Sequence, residues 1–379
     1  MKLRFLTGMV WGWLVALTVS AQDVFRPGQE WPDEAGRHIN AHGGNVLYHD
    51  GMYYWYGENR PYRGFTTEEG VEVYSSADLL HWKDEGVALA VSAEEGSPIE
   101  RGCIMERPKV VYNPRTGKFV MLFHLELKGQ GYAAARVGFA VGDTPVGPFR
   151  FLRSLRPNAG IWPVEFGKKE RRAARRLRES DYKEWWTPEW RKAVEKGLLL
   201  SRDLPGGQMS RDMTVFVDED GKAYHVFSSE ENLTLHLAEL TDDYLDYTGR
   251  YTRIAPGGQN EAPVLFKRKG MYWLITSGCT GWAPNEARMF SASSLWGPWK
   301  QHANPCRGPQ ADRTFGGQGT YAFPLPDRED VVLFMADVWN PDHLRDSRHI
   351  WLPVEFDAKG VPVLRWRDSW ALDEFAPAR

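Results

Sequence analysis

One pattern recurs five times along this chain: a short apolar run, a tight turn containing Gly or Asp, then a second run crowded with aromatic residues. The paired runs are 44–48 with 53–58, 106–112 with 119–123, 211–216 with 223–227, 260–266 with 271–275, and 319–323 with 331–335. Turns such as Asp50-Gly51, Asp220-Gly221 and Lys269-Gly270 between apolar runs are local hairpin signals. Each hairpin is followed by further strand and turn, as at 71–76 with 79–82 and at 289–292 with 297–299. About four strands per unit make a propeller blade, and radial repetition hides most sheet edges. The fold class expected is therefore all-β, a five-bladed β-propeller. The spacing breaks once, between copies two and three. Residues 165–200 read as a helical insertion, basic over 168–178, with Thr187-Pro188-Glu189-Trp190 as a capped helix start. It is expected either to decorate one rim or to lie as a lid over the mouth, where its Arg and Lys would meet acidic substituents.

The chain holds 17 Trp, 15 Tyr and 18 Phe. Most belong between the sheets, but aromatic faces also stack on sugar rings. The formal net charge of -3 gives no global field toward nucleic acid or an anionic membrane. Residues 1–21 read as a signal peptide: Lys2 and Arg4, an apolar run from Met9 to Val19, then small residues to Ala21. The run is too short for a membrane span. Residues 22–379 would then be one catalytic propeller domain, periplasmic or secreted and monomeric. Cys103, Cys279 and Cys306 match no metal spacing, and an odd count leaves at least one free. Each is expected as a small buried hydrophobe, with one disulfide as the alternative.

In a propeller the first strand of every blade runs along the central axis, so residues at equivalent strand ends converge although distant in sequence. Those positions carry Glu106, Asp212, Glu261 and Gln318. The first blade shows Asn40-Ala41-His42-Gly43 there, with Glu58 after its second strand. Acids crowded into one funnel push their pKa values apart, giving one protonated carboxyl beside an ionised one. Glycoside hydrolysis needs such a pair. Turn capping, or salt bridges to Arg107 or Arg211, is the structural alternative for each acid.

Over about 40–339 the sequence resembles glycoside hydrolase family 43, and within it the exo-β-1,3-galactanase branch. The carriers are Asn40-Ala41-His42-Gly43-Gly44, Tyr54-Trp55-Tyr56-Gly57-Glu58, Glu106-Arg107-Pro108-Lys109-Val110, Ser210-Arg211-Asp212, Glu261-Ala262-Pro263, the run from Thr276 to Asn285, and Gln318. The resemblance implies that Glu261 is the general acid, Asp212 tunes its pKa and orients it, and Glu106 and Glu58 bind sugar hydroxyls. Trp282 would be a wall for the ring. His42, Tyr56, Asn285, Tyr321 and Trp339 complete the expected substrate-contacting set. The wider family takes its general base from a first-blade Asp, which this chain lacks. In the galactanase branch a Gln at the position of Gln318 stands in, positioning water or acting through an imidic-acid tautomer. The flanking Gly316, Gly317 and Gly319 depart from the usual polar neighbours.

The reaction implied is inverting removal of single galactose units from the end of β-1,3-galactan, with acid and water-holding group about 6.5–9.5 Å apart. An α-L-arabinofuranosidase or β-xylosidase is the alternative within the family, against which the missing Asp argues. A non-catalytic carbohydrate-binding propeller is the alternative outside enzymes. The expected partner is a polysaccharide or oligosaccharide. No cofactor is expected, and for the Ca2+ known in the wider family the sequence specifies no ligands. His124, like His42, reads by itself as a hydrogen-bonded packing residue.

Overall fold

The computed structural model describes residues 24–326 and 328–375. The signal-peptide reading over 1–21 lies outside them. Four antiparallel sheets of four consecutive strands follow one another along the chain. The first comprises β1 (His42–His49), β2 (Met52–Glu58), β3 (Gly70–Ser76) and β4 (Lys83–Ala90), and the second β5 (Ile104–Asn113), β6 (Lys118–Glu126), β7 (Arg136–Gly142) and β8 (Arg150–Leu155). The helices α1 (Lys168–Ala174), α2 (Pro188–Glu195) and α3 (Leu198–Asp203) come next. The third sheet is β9 (Met213–Val217), β10 (Ala223–Ser229), β11 (Thr234–Leu240) and β12 (Tyr247–Ile254). The fourth is β13 (Glu261–Arg268), β14 (Met271–Ser277), β15 (Arg288–Ala292) and β16 (Lys300–His302). The last is β18 (Gln318–Leu325), β19 (Arg328–Val338), β20 (Arg348–Phe356) and β21 (Pro362–Arg365), with the two-residue β17 (Cys306–Arg307) added parallel to β21 at its outer edge. The first strands β1, β5, β9, β13 and β18 contact one another in that order, and β18 returns to β1. This is the five-bladed propeller that the repeats predict, with the helical insertion between blades two and three.

Hairpin turns follow the sequence signal. Asp50 and Gly51 both take positive φ (49° and 85°), as do Lys269 and Gly270 (49° and 74°), the twist that a two-residue hairpin requires. Thr187 caps α2, its side chain accepting from Trp190 N at 3.2 Å. The insertion docks instead of floating: Trp190, Ala193, Val194, Leu198 and Leu199 bury against Leu233 of blade three. Buried Arg253 ties it down further, donating to Val194 O at 2.8 Å and Glu195 O at 2.9 Å.

A second repeat becomes visible only in three dimensions. The register of the innermost strand slips near its start in four blades: between His42 and Asn45, Glu106 and Lys109, Glu261 and Val264, and Gly319 and Tyr321. In three of these the residue after the first turns left-handed: Gly43 (φ 64°), Arg107 (49°) and Ala262 (51°). These are β-bulges, which bend a strand and re-aim its side chains. Gly57 lies opposite the first bulge, and a Cβ there would sit 2.0 Å from Ala41 C. Gly57→Ala is therefore expected to destabilise the protein by at least about 2 kcal/mol, read as a lower urea midpoint with unchanged slope.

The last and first blades share no strand. Their join is closed by side chains: Gly43 N donates to Asp337 Oδ2 at 2.6 Å, and Asp337 Oδ1 lies 2.8 Å from His349 Nδ1. The segment ahead of β1 covers this seam, with Phe25 stacked on Trp370 (4.1 Å between ring centres) and Trp31 packed against Trp55 and Trp351. Cys103, Cys279 and Cys306 are all free thiols, so the disulfide alternative is excluded.

Candidate active site

The bulges open onto a cavity of about 340 Å3 at one end of the axis. Glu58, Glu106, Asp212, Glu261 and Gln318 all line it, from all five blades. Trp282 and Trp339 wall it, their rings edge to face at 5.6 Å, and half-exposed Phe65 stacks on Trp282 at 5.8 Å.

Arg107 is the hub. Its Nε lies 3.0 Å from Asp212 Oδ1, its Nη2 donates to Gln318 Oε1 at 2.6 Å and its Nη1 to Gly319 O at 3.0 Å. Its backbone N donates to Glu58 Oε1 at 2.7 Å. The left-handed backbone at Arg107 sends the guanidinium across the axis, and that strain persists because the surrounding bonds over-determine it. Beneath it, fully buried Lys109 donates to Gly43 O at 2.6 Å and Arg107 O at 3.2 Å, holding both bulged backbones.

Glu261 is the acid with a proton to give. Burial, then the charge of nearby Asp212, pushes it up to about 7. Its Oε1 accepts from Asn232 Nδ2 at 2.6 Å, and Asp212 Oδ2 accepts from the next backbone amide, Ala262 N, at 3.1 Å. Burial keeps the adjacent Cys279 thiol neutral by raising it. Glu106 behaves oppositely. Although burial opposes it, hydrogen bonds from His124 and Arg60 hold its carboxyl well below the usual range. Arg60 Nη2 and Tyr132 Oη both donate to Glu106 Oε1, at 2.9 and 2.7 Å, and His124 Nδ1 reaches Oε2 at 2.9 Å. Arg60 also pairs with Glu58 Oε2. Two carboxylates sharing one guanidinium separate: Glu106 stays ionised, while burial pushes Glu58 up to about 7.

Gln318 is fixed at both ends of its amide. Oε1 accepts from Arg107 and from Trp339 Nε1 (3.0 Å), and Nε2 donates to Ser277 Oγ at 3.0 Å.

Four expected contact residues do not line this cavity. Tyr56 is fully buried between blades one and two, its hydroxyl bonded to Pro145 O. Tyr321 lies farther down β18 and borders a separate cleft with Leu47, Val110 and Phe216, at the opposite ends of the inner strands. His42 sits under the cavity, stacked on His349 at 4.8 Å, and burial lowers it to about 4, a neutral ring. Asn285 shapes the wall from behind: it accepts from Gly278 N at 2.6 Å and donates to Thr280 Oγ1 at 2.7 Å, fixing the loop that presents Trp282. Conversely, Arg60, Tyr132 and Asn232 line the cavity without any repeat position to mark them. No residue of 165–200 lines it.

Among the described residues, two groups bring three metal-type donors together: Glu106, His124 and Asp212, and His42, Asp337 and His349. Neither fits a calcium ion. His124 spans Glu106 and Glu126 with both ring nitrogens, which raises it to about 9 against the effect of burial, so it is a doubly protonated cation. His349 likewise uses one nitrogen on Asp337 and the other on Ile39 O. Calcium prefers six to eight oxygens, which neither group supplies.

The sequence profile described as glycosyl hydrolases family 43 matches residues 185–362. Among solved structures, a family 43 β-1,3-galactosidase with galactodeoxynojirimycin is 60% identical, with a TM-score of 0.90 covering 92% of this chain and all of that one. An exo-β-1,3-galactanase from Clostridium thermocellum is 34% identical (TM-score 0.74; 92% of this chain, 66% of that one). One from Phanerochaete chrysosporium, with β-1,3-galactotriose, is 30% identical (TM-score 0.73; 92% and 68%). A curated β-D-galactofuranosidase from Aspergillus niger is 28% identical over 145 residues, 38% of this chain and 41% of that protein, so the match spans less than half of that relative. With full-length identity of this order and the expected acids gathered in one cavity, the chain belongs to glycosyl hydrolase family 43.

Proposed function

We propose that the protein is an exo-acting, inverting hydrolase that releases terminal galactose from β-1,3-linked galactan. The observation that carries this reading is an acid near neutrality, Glu261, facing a small cavity that also holds an anchored amide, Gln318; the other raised acid there, Glu58, is tied up by Arg60 and the Arg107 backbone amide. The galactosidase that this chain matches over its whole length supplies the sugar and the linkage. Glu261 protonates the leaving oxygen, and Asp212 keeps that proton in place up to neutral pH. Glu106 retains one acceptor position on Oε2 for a sugar hydroxyl. Glu58 shapes the same wall through Arg60.

Gln318 positions the attacking water, which gives up its proton to solvent as the new C–O bond forms. Two N–H donors already face its oxygen, so an imidic acid with a proton on Oε1 has no place there. Its Nε2 has a second hydrogen beyond the one given to Ser277, and that hydrogen can orient water. The proposal includes export directed by residues 1–21.

Incubation with β-1,3-galactan, followed by NMR at early times, is expected to show galactose released singly and as the α-anomer, since water arrives opposite the leaving group. Release of the β-anomer, or of internal fragments, overturns it. A furanosidase reading has the Aspergillus relative in its favour, and a galactofuranoside run in parallel decides between the two.

A further inference from the structure

The insertion carries a feature that chemistry in the cavity does not use. Trp185 and Trp186, just ahead of α2, are 44% and 46% exposed. Both are held by one buried anchor, Trp190. Trp185 stacks on it at 5.2 Å with planes 22° apart, and Trp186 leans on it at 5.3 Å. The Arg191 guanidinium lies 5.8 Å from the Trp186 ring centre, bracing it from the helix side. Two neighbouring indoles fixed in this way keep broad apolar faces in water. Burying a large apolar side chain is favourable, so leaving two of them out forgoes a stabilisation that burial would bring.

Their position relates them to the reaction. Trp190 packs with Leu233, and the residue before it, Asn232, holds the carboxyl of Glu261. Arg191 Nη2 donates to Gln259 Oε1 at 3.2 Å, two residues ahead of Glu261. The tryptophans therefore continue the rim on the flank of the acid. A general acid stands on the leaving-group side, because its proton goes to that oxygen. A cavity of about 340 Å3 lies at the small end of ligand pockets, so it takes a chain end. The remainder of a bound polymer has to leave over the rim, past Glu261.

We infer that Trp185 and Trp186 form a stacking platform for the galactan chain beyond the cleaved bond. This rests on the function proposed above. Indole faces pack against the C–H faces of pyranose rings, and a rigid pair costs little ordering on binding. The platform strengthens binding of long substrates remotely from the chemistry, so it acts on polymer and not on a disaccharide.

The test uses the full protein and the double variant Trp185→Ala/Trp186→Ala. Expected for the variant is a roughly tenfold rise in KM on β-1,3-galactan, ~1.4 kcal/mol, with kcat/KM on β-1,3-galactobiose unchanged within twofold. Equal values on both substrates for both proteins, or equal losses on both, overturn the inference. Mobility in gels containing galactan provides an arm without turnover: retardation of the unaltered protein, lost in the variant, supports the platform. No retardation of either protein, or binding to anionic phospholipid vesicles in place of galactan, refutes it. Failure of the unaltered protein to cleave even galactobiose would instead overturn the functional reading, while the gel still decides the platform.

Discussion

Glu261→Gln is expected to lower kcat on β-1,3-linked galactan by about 10²–10⁴-fold, the usual contribution of a positioned general acid. The amide keeps the shape and can still accept from Asn232, but has no proton to give. A galactoside whose leaving group departs as a stable anion needs that proton less, so its loss should be smaller. The unaltered enzyme should also lose activity as pH rises through about 7, where Glu261 ionises, and the variant should lack that limb. Stability moves in the same direction. The folded carboxyl sits above its unfolded value of 4.5, so its contribution is complete below that value and is lost as pH rises through 7. Melting temperatures from pH 5 to 8 should fall for the unaltered protein and fall less for the variant. Near-normal turnover by Glu261→Gln on galactan would remove it from the acid role.

Arg107→Met is expected to cost about 3–5 kcal/mol of stability, because it removes a buried guanidinium and leaves the largely buried Asp212 without its cation. Activity should fall with it, since Asp212 and Gln318 lose the group that sets them at a common centre. Arg107→Lys separates the two effects. A lysine restores the charge, but a point ammonium cannot serve Asp212, Gln318 and Gly319 in three directions. Urea unfolding of the Lys variant should lie close to that of the unaltered protein while kcat stays depressed. A Lys variant with full kcat would show that charge alone suffices and that the fork is not needed.

The blades were legible because hairpins are local. Asp50-Gly51 and Lys269-Gly270 state their turn type within two residues, and the strands flanking them pair within ten. The gathering of Glu106, Asp212, Glu261 and Gln318 followed from repetition alone. What the sequence hid was most of the long-range contact outside that repeat. Arg107 meets a partner 211 positions away, and Asp337 closes on Gly43 across 294. Nothing near either residue announces this. The bulges were hidden as well. The slip between Gly319 and Tyr321 puts Tyr321 on the same side of β18 as Gln318, but farther down the strand, where it borders the other cleft and not the cavity. Tyr56 shares a face of β2 with Glu58, but β2 is the second strand of its blade, so a position short of the mouth falls between sheets. Trp339 and Trp282 were found because they follow strand ends on the open side.

The seam between the final and initial blades has a consequence for how this enzyme stops working. Gln318 comes from one side of that join, while Glu58 comes from the other and Arg107 from the blade beyond. A breath of the ring too slight to melt any sheet would still part the amide from its guanidinium. Activity is therefore expected to fade on warming before the sheets melt, and to return on cooling, because the five blades that hold the centre would not have come apart.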